Sequence, residues 1–355
     1  MSKKLLTLIM VLAFAAGAMA GDMNYTVYGK LHTSINYASN YYGDAETGED
    51  LSQLGFTSNT SRFGVKGGIA ISDEYTAIWQ FEQKLTIGGN ATTATQELAN
   101  RNSFLGVKAG WGSLIWGRHD TPFKTLGRKT TFFYDSIGDN RMAMGGIDDR
   151  TTGYLMYTSP SFNGFNVRAG YEFDKNSAPA TEADEAATSM ALMAYYAKDA
   201  LFVGGAYESI SAGSFAAADD ESETRMRFAG KYTMDKIAFA ATYTTVSDKG
   251  GMADLSTSSI TAEAQFAATP KMNVKGGYYI YDPNTDADDD GASYLTLGLD
   301  YNAAKNVQFY VQYAMTMNED AAMNALGGGW FGDTYAPEAA GENASCFSFG
   351  SVYKF

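Results

Sequence analysis

The chain has 355 residues with 26 Lys or Arg against 40 Asp or Glu, a net charge of −14. That balance disfavours nucleic acid as a partner, because a polyanion is bound mainly through cations. Cys346 is the single cysteine and His32 and His119 the only histidines, so no internal disulfide and no Cys/His metal cluster can form.

The N-terminus, "MSKKLLTLIMVLAFAAGAMA", has Lys3 and Lys4, an apolar run from Leu5 to about Ala16, and Ala18-Met19-Ala20. This is the pattern of a secretory signal with an A-x-A cleavage site. Its apolar run is short of the roughly 20 residues that a spanning helix needs. Cleavage after Ala20 leaves residues 21–355 as one domain of 335 residues with net charge −16. No later stretch is apolar enough for a transmembrane helix. Tyr (24), Phe (21) and Gly (38) are abundant and Pro is scarce (6), which suits long strands.

The next residues show a period of two. "VYGKLHTSINY" puts Val27, Leu31, Ile35 and Tyr37 on one parity, and Tyr28, Lys30, His32, Ser34 and Asn36 on the other. In "FNVRAGYEF", Phe165, Val167, Ala169, Tyr171 and Phe173 oppose Asn166, Arg168 and Glu172. "RMRFAGKYTM" opposes Arg225, Arg227 and Lys231 to Met226, Phe228, Tyr232 and Met234. The same alternation runs through "IAFAATY", "LTLGLDY" and "VQFYVQYAM". It ends in "CFSFGSVYKF", where Phe347, Phe349, Tyr353 and Phe355 share a face. Alternate side chains of a strand point to opposite faces, and about 9–11 tilted residues cross a bilayer.

Sixteen strands are expected at 24–38, 59–68, 75–86, 100–109, 113–119, 151–159, 165–173, 188–198, 200–209, 224–234, 236–245, 258–268, 271–281, 292–302, 306–316 and 345–355. Long polar joins follow the odd strands, at 39–58, 87–99, 120–150, 174–187, 210–223, 246–257, 282–291 and 317–344. Short joins such as Lys198-Asp199-Ala200, Met234-Asp235-Lys236 and Thr269-Pro270 follow the even ones. Long outer loops alternating with short periplasmic turns mark an all-β transmembrane antiparallel barrel of the bacterial outer membrane. Backbone groups in lipid must be bonded internally, so such a sheet closes. The first strand, near Tyr25, should therefore pair with the last, ending at Phe355, while lipid covers the aromatic face. The acidic runs "DPNTDADDDG" and "AADDESE" read as solvated loop tips, and "DADDD" lacks the spaced ligands of a helix-loop-helix calcium site. Among the tryptophans, Trp79, Trp111, Trp116 and Trp330, Trp111 beside a turn best fits an interfacial girdle, and Trp330 falls in a loop.

Three segments carry finer motifs: "SRFGVKGGIAISDEYTAIWQFEQ", "RNSFLGVKAGWGSLIWGRHDTPF" and "RTTGYLMYTSPSFNGFNVRAGYEF". With their S-R-F-G-x-K-G, G-R-x-x-T-P-F and Y-T-S-P-S-F, and with the first strand's Y-G-K and the aromatic terminus, the chain resembles the general diffusion porins of Gram-negative bacteria. It is most similar to those of neisserial and other proteobacterial type. The motifs cover the ends and roughly residues 59–173.

The resemblance implies a sixteen-stranded, trimeric, water-filled barrel, with the third loop, here 120–150, folded inward as a constriction. It sets Lys30, Arg62 and Arg118 as wall cations facing acids on that loop, for which Asp135, Asp139, Asp148 and Asp149 are the candidates. Arg128, Lys129, Arg141 and Arg150 dilute those acids. A further wall arginine of some members falls near Thr158 and is absent. Parity agrees for Lys30 and Arg62, but Leu114 and Trp116 share the parity of Arg118, a conflict that a bulge would resolve. A charge at the lipid midplane costs about 2–4 kcal/mol, so Glu82, Lys84, Arg168, Arg225, Arg227 and Lys231 should line the lumen.

The expected function is passive diffusion of ions and small hydrophilic solutes, without a cofactor or catalytic residue. The expected partners are outer-membrane lipid and lipopolysaccharide, two further copies in a homotrimer, and the assembly machinery acting through Phe355. Three alternatives belong to other classes. They are a substrate-specific barrel using Tyr195, Tyr279 and Tyr310, a barrel enzyme using His119 and Asp120, and a secreted soluble adhesin. Adjacent residues on a strand diverge, which makes His119-Asp120 a poor catalytic dyad. His32 faces the lumen without an evident partner, and Cys346 reads as an inert lumen-side thiol.

Overall fold

A computed structural model describes residues 24–41, 51–88, 98–173, 187–215, 221–283, 288–327 and 334–355. The signal segment, Trp330 and parts of the acidic loop tips lie outside these.

In chain order the strands are β1 (Asn24–Tyr41), β2 (Leu51–Ser58), β3 (Arg62–Ala70), β4 (Thr76–Lys84), β5 (Ser103–Ala109), β6 (Gly112–Asp120), β7 (Arg150–Thr158) and β8 (Phe165–Glu172). There follow β9 (Ser189–Lys198), β10 (Leu201–Ile210), β11 (Glu223–Met234), β12 (Ile237–Ser247), β13 (Thr257–Thr269), β14 (Met272–Asp282), β15 (Ala292–Ala304) and β16 (Val307–Asn318). A small hairpin, β17 (Leu326–Gly327) with β18 (Thr334–Tyr335), precedes the last wall strand, β19 (Ser345–Lys354). Each wall strand pairs antiparallel with its neighbours around the ring, and β19 pairs with β1. Both β2 and β3 lie on β1, at Thr33–Tyr41 and Asn24–Lys30 respectively, so they form one interrupted strand and the wall has sixteen. The sheet is closed and leaves no edge.

The interruption corrects one expectation. The second strand was expected at 59–68, with 39–58 as loop, yet pairing begins at Leu51 and breaks at Asn59-Thr60-Ser61. Thr60 has φ of 50° there, a left-handed backbone. The Ser61 hydroxyl mends the ladder: it accepts the His32 amide at 2.9 Å and donates to the His32 carbonyl at 3.0 Å. The polar composition of "LSQLGFTS" hides a strand whose Leu54 and Phe56 face outward.

Closure rests on the C-terminus. Ten residue pairs join β1 to β19, from Lys30 with Lys354 to Ser39 with Ser345. Beyond them Gly29 and Phe355 exchange both main-chain bonds, at 2.9 and 3.2 Å. A Cβ on Gly29 would lie 2.3 Å from the Phe355 ring, so the missing side chain is what lets the terminal aromatic ring lie across β1. At the short turns Asp199 and Asp235 take φ of 52° and 50°, conformations that a short polar side chain tolerates.

The burial pattern is inverted relative to a soluble protein. Phe228, Leu297, Val311, Phe347 and Phe349 are exposed, whereas Arg227, Glu208, Thr296, Thr316 and Ser348 are buried. No described helix is long and apolar enough to cross a membrane. Trp111 is 42 % exposed at its turn and stacks on Tyr157, whose hydroxyl donates to the Trp111 carbonyl at 2.8 Å. An aromatic pair of this kind suits the level of the lipid headgroups. Phe228, midway along β11, faces outward beside Tyr243 and Gly205. Phe228→Lys should therefore cost about 2–4 kcal/mol, measurable by urea unfolding of the lipid-reconstituted protein.

Candidate functional site

The join from Asp120 to Arg150 folds into the barrel and is tied to the wall along its whole length. Thr121 caps a short helix, α1 (Pro122–Gly127), accepting the Lys124 amide at 3.3 Å, with Pro122 in the first turn. Proline suits that position because the first-turn amides lack intrahelical partners. Phe123 and Leu126 of α1 are fully buried with Met193, Phe202, Ala206 and Ala229 of β9–β11. Glycine makes the close approach possible: a Cβ on Gly127 would lie 2.5 Å from the Arg227 guanidinium.

The loop then crosses β12–β15. Thr130 bonds Thr242 at 2.7 Å, and Lys275, itself paired with Asp300 at 2.9 Å, donates to the Phe132 carbonyl at 2.8 Å. The Phe132 amide donates to Glu263. The Tyr279 hydroxyl donates to the Gly138 carbonyl at 2.8 Å. Ile137 and Ala143 pack with Tyr281, Tyr294 and Ala314. At the returning end Asp148 meets Arg227 at 2.8 Å and Asp149 meets Arg225 at 2.7 Å. Arg225 also holds Glu208 at 3.0 Å and the Ile147 carbonyl at 2.7 Å. Arg227 holds the Phe123 carbonyl at 3.1 Å.

A second set of charges converges on Asp135, which has φ of 58°. Its carboxylate meets Lys30 of β1 at 2.6 Å, Arg62 of β3 at 3.8 Å, Arg128 at 3.1 Å and Arg141 at 2.9 Å. Arg62 also faces Glu82 at 3.7 Å, and Glu82 binds Arg101 at 2.6 Å and accepts the Tyr28 hydroxyl at 3.0 Å. The Arg128 guanidinium lies 3.8 Å from the centre of the Tyr134 ring. Arg62 has the most exposed side chain of the four cations, at 20 %. Burial alone would raise the Asp135 carboxyl, but Lys30, Arg128, Arg141 and Arg62 outweigh it and hold it well below its ordinary value. Burial likewise raises Asp148, and Arg227 and Lys124 outweigh it to leave a net lowering.

Lys30, Arg62 and Asp135 thus meet in one cluster, and Glu82, Arg225 and Arg227 are buried. Asp139 is fully buried within the loop, accepting the Asp135 amide at 2.7 Å and binding Arg141 at 2.6 Å. Asp148 and Asp149 stand on the Arg225 and Arg227 staples, away from Lys30 and Arg62. Arg118 is in register with Ser103, and the parity conflict coincides with a register shift between Gly117 and His119 against β7. Lys84 pairs in register with Arg62. Arg168 and Lys231 sit on the inner faces of β8 and β11.

Sequence reasoning did not foresee that Arg128 and Arg141 join Asp135, nor the roles of Arg101, Glu263 and Lys275. Nor did it place the last long join: Leu326 and Tyr335 are buried against Ile137 and Ala143, so part of 317–344 also folds inward. His119 Nδ1 bonds the Asp120 main-chain oxygen at 2.8 Å, while the Asp120 carboxylate holds Lys124 at 3.2 Å and Arg150 at 2.9 Å. His32 bonds the Tyr310 hydroxyl at 2.9 Å, and Cys346 is buried.

The sequence family described as Gram-negative porin matches residues 6–321. The chain belongs to this family. An outer membrane porin protein of Bordetella pertussis is 24% identical over 92% of this chain and 98% of its own length. Outer membrane porin protein 32 of Delftia acidovorans is 27% identical over 91% of this chain and 92% of its own. Among solved structures, the anion-selective porin from Comamonas acidovorans superposes with a TM-score of 0.74 at 23% identity, covering 94% of this chain and all of that one. The porin is an integral β-barrel of the outer membrane and acts as a passive channel.

Breaking one partner of a buried ion pair costs about 3–5 kcal/mol. Asp135→Asn in this porin should lower stability by that order, read as a drop in thermal midpoint in detergent. The Asp135 carboxyl is lowered in the fold, so its contribution is complete above the ordinary carboxylate value of about 4 and is lost as pH falls through the depressed value. A pH titration of the midpoint should therefore show a smaller acid-side loss in Asp135→Asn than in the parent protein.

Proposed function

We propose that the pore is selective at the Asp135 cluster and prefers small anions. The observation that carries this is a local excess of cations: Lys30, Arg62, Arg128 and Arg141 converge on Asp135 and Asp139. A carboxylate that is already surrounded holds its cations in place, and the cationic remainder faces the water column. Rings of like charge set ion preference in narrow pores. The net charge of −14 includes the external acidic tracts and does not describe this ring. The anion selectivity stated for the Comamonas porin agrees in sign. Arg118 and Lys84 add to the same basic wall, while Asp148 and Asp149 anchor the loop through Arg227 and Arg225.

We further propose that the protein is a homotrimer with β1–β6 toward the centre, as supported by the trimer form of OmpT, an outer membrane protein of Vibrio cholerae. Lipid and lipopolysaccharide cover the remaining aromatic face. The assembly machinery reads Phe355, which stays 58 % exposed on the completed barrel. Residues 1–20 are removed on export.

The test is reconstitution in a planar bilayer under a potassium chloride gradient. Stepwise conductance is expected, with a reversal potential on the chloride side. Arg62→Glu should move that potential toward potassium. An unchanged potential would remove Arg62 from the selective ring.

A further inference from the structure

Outside the Asp135 cluster, one group of cations on the inner wall has no carboxylate. Arg168 on β8 and Lys231 on β11 lie close enough to Lys129, on the infolded loop just beyond α1, for their charges to act on it. Among the described residues no ion pair joins any of them to an acid. Arg168 Nε is buried with no hydrogen-bond partner. Burial first, then the charges of Arg168 and Lys231, push the Lys129 ammonium below its ordinary value. Arg225, Arg227, Lys275 and Lys30, by contrast, each hold a carboxylate within 3.0 Å.

Two aromatic rings complete the place. Tyr195 and Phe202, on adjacent β9 and β10, lie 5.6 Å apart between ring centres. Lys129 Nζ stands 5.2 Å from the first ring centre and 5.7 Å from the second. Register brings the parts together: Phe202 is opposite Lys231, and Arg168 is opposite Met193, two residues before Tyr195. Tyr195 is only partly buried and presents its ring to the lumen side. Because β8 starts and β9 and β11 end at short turns, the group lies toward the periplasmic mouth. A solute leaving the Asp135 ring inward meets it next.

We propose that Lys129, Arg168, Lys231 and Tyr195 form a transient binding site for organic anions that carry a carboxylate on a flat apolar ring. The guanidinium fork of Arg168 suits a carboxylate, the two ammonium groups lower the cost of its charge, and Tyr195, backed by Phe202, receives the ring. Occupancy makes flux of such anions saturable, whereas chloride and acetate pass without the aromatic contact. This site deepens the anion-channel reading and rests on it.

The experiment measures chloride current through single reconstituted channels while sodium benzoate or sodium acetate is added on the periplasmic side. Benzoate should reduce the current with a saturating dose dependence, and acetate at equal concentration should do so at least about tenfold less. Arg168→Gln and Tyr195→Leu should each weaken the benzoate block several-fold, and Arg168→Lys should restore part of it, each compared with its own current in chloride alone. Equal effects of benzoate and acetate, or a block untouched by Arg168→Gln and Lys129→Gln, would overturn the site while leaving the channel intact. Absence of any conductance steps in the parent protein would instead overturn the channel reading.

Discussion

Every peptide group of a strand in hydrocarbon must find its partner within the protein. The pairing of β1 with β19 meets that demand, and everything else in the molecule depends on it. Closing the sheet removes its edges and separates an outer face, solvated by acyl chains, from an inner face wetted by the lumen. The exchange of both main-chain bonds between Gly29 and Phe355 ends the seam, and it works only because Gly29 has no side chain to exclude the terminal ring.

A closed wall of sixteen strands would leave a wide bore. The infolded loop narrows it, and the loop is held by two kinds of contact. Phe123, Leu126, Ile137 and Ala143 bury apolar surface against inward-facing positions of β9–β16 that are themselves apolar, an exception to the polar lining elsewhere. Arg225 and Arg227 then pin the returning end through Asp149 and Asp148. The buried apolar contacts make the loop part of the wall, so the Asp135 cluster has a fixed geometry.

The charges inside the barrel therefore divide by task. Some pair completely and serve position, such as Asp139 with Arg141 and Lys275 with Asp300. Others are left in excess and face water, around Asp135 and again around Arg168. Only the second kind acts on a passing ion, because a fully matched pair presents little net field beyond about a Debye length, about 8–10 Å at ordinary salt.

The alternation of strands such as Glu223–Met234 and the long/short joins were enough to determine the barrel, its strand count and its inside and outside. That legibility has a simple cause: a strand's period of two must match the two media that its faces meet. The same parity sets Lys30, Arg62, Arg168, Arg225 and Arg227 on the polar side of their strands. It failed where backbone geometry departs from a regular strand, at the Asn59–Ser61 interruption and at the register shift near Gly117. Which acid met which cation was decided by tertiary structure alone. Asp135, Asp139, Asp148 and Asp149 look alike along the chain, and only the path of the loop across β9–β15 sends the first to Lys30, folds the second into the loop and gives the last two to β11. Partners that lie far apart in sequence, such as Lys30 and Asp135, are joined by loop conformation and packing, which residue alternation does not encode.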